Sequence, residues 1–169
     1  MPTVDREFVK QLYAFHHWAT DRVLDALADA SAAQLDKKWG GSFGTGRALL
    51  RHVIGVERLW CDRWNGHFAK ALPDYPAQHA GRDFGAEWEK IKPDQHRFVS
   101  AVTNDRLAAD FSYMNVKGEP WTYTLSEILV HVANHGTYHR GQLTHLLRDL
   151  GMSAPSTDYL DFVVAQRAR

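Results

Sequence analysis

The 169-residue sequence predicts an all-α fold, a four-helix bundle with a short β-hairpin before the fourth long helix and a short C-terminal helix. Three observations carry that expectation. Apolar residues recur at steps of three and four through four long stretches, the period of helices that bury one face. Capping residues and glycines stand where those stretches begin and end. The segment Phe111 to Tyr123 alone is rich in aromatic and β-prone residues, and it is too short to build a sheet. Residues 1–169 read as one domain, inside the roughly 100–200 residues usual for a single core.

The first helix is expected from Asp5 to Ala28, with Phe8, Leu12, Phe15, Ala19, Val23 and Ala26 on its buried face. Ser31 with Gln34 is a short capping box, Gly40, Gly41, Gly44 and Gly46 mark a loop, and Thr45 or Ser42 caps the second helix. Ala48, Leu49, Val56, Leu59 and Trp60 give that helix its stripe, which ends near Asn65-Gly66. Residues 67–82 carry two prolines and no clean period, the composition of a connecting loop. Phe84, Trp88, Ile91, Phe98, Val99 and Val102 mark a third helix, which Pro93 should kink or restart. The hairpin then turns at Lys117-Gly118. Thr124-Leu-Ser-Glu127 is a capping box opening the longest helix, on Leu125, Ile128, Leu129, Val132, Leu143, Leu146, Leu147 and Leu150. Gly151 stops it, and Pro155-Ser156-Thr157 should start the last helix, through Leu160, Phe162 and Val163.

Composition narrows the function. Twenty Lys+Arg balance 20 Asp+Glu, and no block of five or six like charges occurs, so no footprint for nucleic acid or anionic lipid is visible. No run approaches the roughly 18 apolar residues of a membrane span, and the N-terminus lacks a signal-peptide layout; a cytoplasmic protein is expected. Cys61 is the one cysteine, which excludes an internal disulfide and thiolate-rich zinc sites. A metal here must take nitrogen or oxygen ligands.

Ten histidines make that prospect concrete. His131, His135 and His139 follow one another at steps of four on the fourth helix, and each step turns the side chain by only about 40°. His135 and His139 fall inside the apolar stripe, and His131 lies at its flank. Two imidazoles one turn apart can reach one ion at about 2.0–2.1 Å. On the second helix His52 occupies the stripe, where an aliphatic residue is the usual occupant. Each histidine alone reads as a core ring with one hydrogen bond. Three on facing stripes of one small bundle favour a shared ion, because one cation satisfies three nitrogens at once.

The string HVANHGTYHRGQLTHLLRDLG resembles the signature of the DinB/YfiT-like family of four-helix-bundle metalloproteins, whose His-x-x-x-His-Arg-Gly-Gln motif joins a histidine of the second helix. FHHWATDRVLDAL, LLRHVIGVERLW and STDYLDFV are similar to the family's first-helix, second-helix and closing patterns, so the likeness spans nearly the whole chain. The resemblance implies one divalent metal ion, zinc or nickel, on His52, His135 and His139. Tyr138 stands where many relatives have a further histidine, and His131 is the natural substitute within the trio.

Around the ligands, Gln142 shares the face of His139 and is placed to orient a ring or a bound water. Glu57, His131, Gln95 and His16 are further candidates to support the site, whereas Arg140 points elsewhere, toward an acid between helices. His17, His67, His79 and His96 fall on polar faces or in loops and His145 at a helix edge, and they read as ordinary surface residues. Cys61 points away from His52 and reads as a buried structural thiol.

Three neutral histidines without a carboxylate leave a dipositive ion with one open position, which favours water of lowered pKa or a thiolate. Two chemistries follow, activation of a low-molecular-weight thiol for attack on an electrophile, and hydrolysis. The resemblance implies the first, since relatives include S-transferases and isomerases using bacillithiol, mycothiol or glutathione; it also implies a homodimer. A structural metal in a non-catalytic, stress-related protein is the remaining class. The family's link to DNA damage concerns induction of expression and does not imply DNA binding. Three imidazoles suit zinc, nickel, copper or iron alike.

Overall fold

Side-chain oxygens of Asp5, Ser31, Thr45, Thr103 and Thr124 each accept a hydrogen bond from the backbone N–H three residues on. They satisfy groups that a helix start leaves open. The computed structural model describes residues 4–67 and 71–168. Its elements follow in the order α1 (Arg6–Leu27), α2 (Ala32–Leu35), α3 (Gly46–Trp64), α4 (Gly81–Ala101), α5 (Asn104–Ala108), β1 (Asp110–Met114), β2 (Pro120–Thr124), α6 (Leu125–Asp149) and α7 (Tyr159–Arg167). The four long helices α1, α3, α4 and α6 form the expected bundle. β1 and β2 pair antiparallel, Phe111 opposite Tyr123 and Tyr113 opposite Trp121, and Gly118 takes the positive φ of 80° in their turn.

Contacts between helices define their directions. Tyr13 Oη donates to Leu129 O and Arg140 Nη1 to His16 Nδ1, so α1 and α6 run parallel. Gln95 Nε2 donates to Glu57 Oε2, and Trp64 stacks on Phe98, so α3 and α4 also run parallel. His17 with Gln95 and Trp88 with Asp21 make α1 and α4 antiparallel. The order is therefore up, down, down, up. The antiparallel pair α3 and α6 shares the seam where His52 meets His135.

The interior holds two large apolar cores with a polar layer between them, and a third small cluster joins Phe15 and Ala19 of α1 to Phe162 of α7. Leu24, Leu27, Leu50, Ile54, Phe84, Trp88, Leu143 and Leu147 fill one end; Val9, Tyr13, Trp64, Val99, Leu125, Leu129 and Val132 fill the other. His16, Glu57, Gln95 and Arg140, one from each long helix, are buried between. α1 comes so close to α6 there that a Cβ on Gly136 would stand 2.4 Å from the His16 ring; glycine is what admits the ring.

Several expectations need correction. On α1 Phe15, Ala19 and Val23 of the expected stripe are buried, but Phe8 is 49% exposed and the buried face widens to Val9, Tyr13, His16 and Thr20. Hydrogen bonds of Tyr13, His16 and Thr20 to α6 make their burial tolerable, and no apolar count registers that. Pro93 does not restart a helix, since α4 is continuous through it. Pro93 is exposed, and the carbonyl deprived of a partner belongs to Glu89, another exposed residue that water serves. The loop expected over 67–82 ends at Ala80, and its positions 68–70 lie outside the described residues. The last helix begins at Tyr159 after an Asp158 cap, three residues beyond Ser156, with Leu160 exposed. α5 was not expected at all; five residues are too few to show a period. Among the described residues no helix is long and apolar enough to cross a membrane.

Candidate metal centre

α6 presents His135 and His139 one turn apart, and α3, running the other way, presents His52 against them. The three Nε2 atoms lie 3.0 Å (His135 to His139), 3.1 Å (His52 to His135) and 3.2 Å (His52 to His139) from one another. Ligands at 2.0–2.1 Å from a tetrahedral ion stand about 3.3–3.4 Å apart, so the triangle has nearly the spacing of a metal ligand set. Hydrogen bonds among the rings do not account for it. A neutral imidazole carries one N–H, and His139 uses its own at Nδ1, which donates to Gln142 Oε1 at 2.7 Å. Its Nε2 is then a lone pair. His135 Nδ1 is buried with no partner, so no protein group holds its proton at either nitrogen and Nε2 is free to present its lone pair. The donor set and its spacing fit a divalent ion.

Protonation points the same way. Burial lowers the pKa of His135 to about 4, with His139 and His52 adding to the effect. Burial and then His139 lower His52. Burial lowers His139 as well, against the opposing Gln142 hydrogen bond and Glu57 charge. All three rings are neutral at pH 7, the form a metal needs. Phe43, in the loop before α3, packs on His52 and His139 with ring centres 4.8 and 5.6 Å away, and Tyr138 covers His139 at 5.0 Å. Beside His52 a hollow of about 670 Å³ opens between Thr45, Arg51 and Pro73.

The structure brings together His52, His135 and His139, and Gln142 bonds one of them. His52 is half-buried at the seam and does not stand in the middle of a buried stripe; the deep line of α3 runs through Leu49, Val53 and Glu57. His131 is exposed, its ring centre 6.2 Å from that of His135 and outside the trio. Glu57 touches none of the three rings. Its Oε2 accepts from Gln95 and its Oε1 lies 3.2 Å from His16 Nε2. His145, exposed, faces Asp149 at 3.5 Å. Cys61 is buried, and burial raises its thiol to about 12, so it stays protonated and away from the trio.

The polar layer behind the trio was only partly foreseen. Arg140 is buried and finds His16 Nδ1 at 2.9 Å, Thr20 Oγ1 at 3.3 Å and Thr137 Oγ1 at 2.7 Å in place of an acid. Because His16 Nδ1 accepts from Arg140, its proton sits on Nε2, toward Glu57. A buried guanidinium and a buried carboxylate are thus joined through one imidazole. Burial pushes the Glu57 carboxyl up, but His16 and Gln95 outweigh it and the net shift is downward. His17 is not on a polar face: it is half-buried against Trp88 and donates to Gln95 Oε1 at 3.0 Å. The available signal was the run of polar residues at positions 13, 16, 17 and 20, at helical spacing from the buried Val9 and Val23.

These neutral rings set an acid limit. Burial and then His16 lower His17 to about 4, as burial does for His135. Between pH 6.5 and about 4 the unfolded chain binds protons that the folded one refuses, so stability rises with pH across that window and is lost on acidification. The Tm of the metal-free protein, scanned with chelator present, is expected to fall steadily from pH 6.5 downward. A flat profile there would contradict buried neutral imidazoles.

Comparison with known proteins bears on the family and the fold. The model of the DinB family matches residues 1–169. The chain is similar to Protein DinB of Bacillus subtilis (strain 168), 26% identical over 161 residues, 90% of this chain and 92% of that one. In fold it is similar to the crystal structure of a DinB-like protein from Bacillus cereus ATCC 10987, with a TM-score of 0.69 and 22% identity over 89% of this chain and 95% of that one. With the family model matched from end to end, a bundle of the same fold and three histidines on facing helices, the chain belongs to the DinB family.

Proposed function

We propose that His52, His135 and His139 hold one divalent cation, zinc or nickel, and that the protein is a metal-dependent enzyme that transfers a low-molecular-weight thiol to an electrophile. The observation that carries this reading is the convergence of three Nε2 atoms within 3.2 Å. When bound, a divalent ion supplies positive charge at an open position, where a thiolate is favoured over its thiol. The residues themselves supply no negative charge to that position. Among the described residues the cluster contains three neutral imidazoles and no carboxylate, so an anionic ligand such as a thiolate compensates the site. Phe43 packs on the rings of His52 and His139, and the hollow beside His52 has room for the body of the thiol. In the reaction the thiol gives its proton to solvent, a sulfur–carbon bond forms, and the leaving group departs with the electron pair of the bond it breaks.

The test is turnover of monobromobimane with glutathione or bacillithiol, with and without zinc or nickel. Consumption faster than the uncatalysed reaction of thiol with bimane, and faster only with both protein and metal present, is expected. Thiol-independent cleavage of p-nitrophenyl acetate would move the protein to the hydrolases. Loss of folding stability on chelation, with neither turnover, would make the metal structural.

Gln142 has a separate, measurable part. It holds the His139 ring through Nδ1, and outer partners of metal histidines are worth about 10–100-fold in affinity. Gln142→Ala is expected to weaken zinc by that factor in competition with a chromophoric chelator, with the helical spectrum unchanged.

The same reading includes a cytoplasmic location, where such thiols are kept reduced, and a homodimer. Leu160 and Val164, one turn apart on α7, are 75% and 64% exposed, apolar area that association would bury. Equilibrium sedimentation at twice the chain mass is the expected result.

A further inference from the structure

The hairpin closes a second concavity one helical turn from the histidine trio. Trp60 of α3, Tyr113 of β1, Tyr123 of β2 and Glu127, Ile128 and His131 of α6 line a cavity of about 330 Å³. That lies within the roughly 300–1,000 Å³ of small-molecule sites. His131 belongs to both neighbourhoods, since it lines the cavity and its ring centre lies 6.2 Å from that of His135. Trp60 follows His52 by eight residues, about 12 Å of helix, with Val56 half-buried between them. A molecule seated among the rings reaches the trio if it extends about 6–12 Å along the α3/α6 seam.

The walls are braced from behind. Arg63, 4% exposed, donates through Nη2 to Met114 O at 3.0 Å. Its guanidinium stacks over Trp60 and Tyr113, 4.8 and 4.7 Å from their ring centres. Trp60 and Tyr113 meet edge to face at 4.9 Å, and Tyr123 stacks on Trp121 at 5.8 Å. Arg63 itself does not line the cavity. Its position matters for charge. The π faces of Trp60 and Tyr113 are already engaged by Arg63, so a cationic ligand over either ring meets like charge behind it. The Glu127 carboxylate on the wall repels an anion, and because its Oε2 already accepts from Thr124 N and Oγ1 it offers little to offset the repulsion of a cation by Arg63. A flat, neutral group is what both charges leave acceptable.

We propose that the cavity of Trp60, Tyr113, Tyr123 and Glu127 binds an uncharged planar aromatic group, and thereby selects the substrate whose reactive end extends to the histidine trio. Binding of the aromatic group does not depend on a metal; its role in substrate selection rests on the metal-dependent reading above.

The experiment measures binding of 2-naphthylmethanol, 2-naphthoate and 2-naphthylmethylammonium to the full chain, by calorimetry and ligand-observed NMR, with chelator and with zinc. The neutral probe is expected to bind about tenfold tighter than either ion under both conditions. Tyr123→Ala, at a 38% exposed position outside the apolar cores, is expected to weaken it about fivefold. Glu127→Gln keeps the capping interaction with Thr124 and removes the charge; it is expected to raise naphthoate affinity about threefold and leave the neutral probe unchanged. Equal binding of the three probes, no binding of the neutral one, or indifference to Tyr123→Ala would overturn the proposal. Neutral-probe binding without zinc binding supports the aromatic site and sinks the metal reading; zinc binding without probe binding does the reverse.

Discussion

His135→Ala is expected to lose tight zinc binding while keeping the helical circular-dichroism spectrum. The substitution removes one of three nitrogens that stand within 3.2 Å of each other. Outer partners alone are worth about 10–100-fold, so loss of a ligand should exceed about 100-fold. His135 is half-buried at the seam, and both apolar cores remain intact without its ring. Zinc at 100 times its dissociation constant stabilises a protein by about 2.7 kcal/mol, or about 5–11 °C in Tm for a chain of this size. That rise should appear in the unmodified chain and be absent in the variant. Stoichiometric zinc in desalted His135→Ala, measured by elemental analysis, would remove the trio from consideration as the ligand set.

The second large effect concerns folding. Glu57→Ala should destabilise the protein by about 3–5 kcal/mol, the cost of deleting one partner from a buried charged network. The carboxylate is 1% exposed, accepts from Gln95 and faces His16, which in turn accepts from Arg140. Its removal leaves the Arg140 guanidinium, 2% exposed, without an anion in the layer and leaves the Gln95 amide without its acceptor. At roughly 2–4 °C per kcal/mol the Tm should drop by about 6–20 °C. Glu57→Gln retains an acceptor and should lose less. A fall of under about 1 kcal/mol for the alanine variant would mean that the layer is solvated in a way its burial does not suggest.

Local signals were legible wherever one segment carries its own information. The Thr124 to Glu127 capping box, the Ser31 and Gln34 pair and the Lys117-Gly118 turn all stand where their residues put them. The i, i+4 pair of His135 and His139 was legible for the same reason, as one turn of helix brings two rings together without outside help. The restart expected at Pro93 does not occur because the helix carries it on the solvent side, and only the packing of α4 says which side that is. The stripe of α1 held at Phe15, Ala19 and Val23 but misled at Phe8, which counts as apolar in a pattern and is exposed, while the hydrogen-bonded Tyr13, His16 and Thr20 also face inward.

From the chain alone come the helical periods, the caps, the hairpin and an imidazole pair one turn apart, since each depends on residues within a few positions of one another. Tertiary structure decided how each helix is rotated about its axis, and with that the place of His52 at a seam, the layer of His16, Glu57, Gln95 and Arg140, and the aromatic cavity under the hairpin. These arrangements join residues 38 to 124 positions apart. Their energies come from partners on other helices: a buried polar group costs free energy unless a neighbour satisfies it, and only closure of the bundle brings that neighbour into reach.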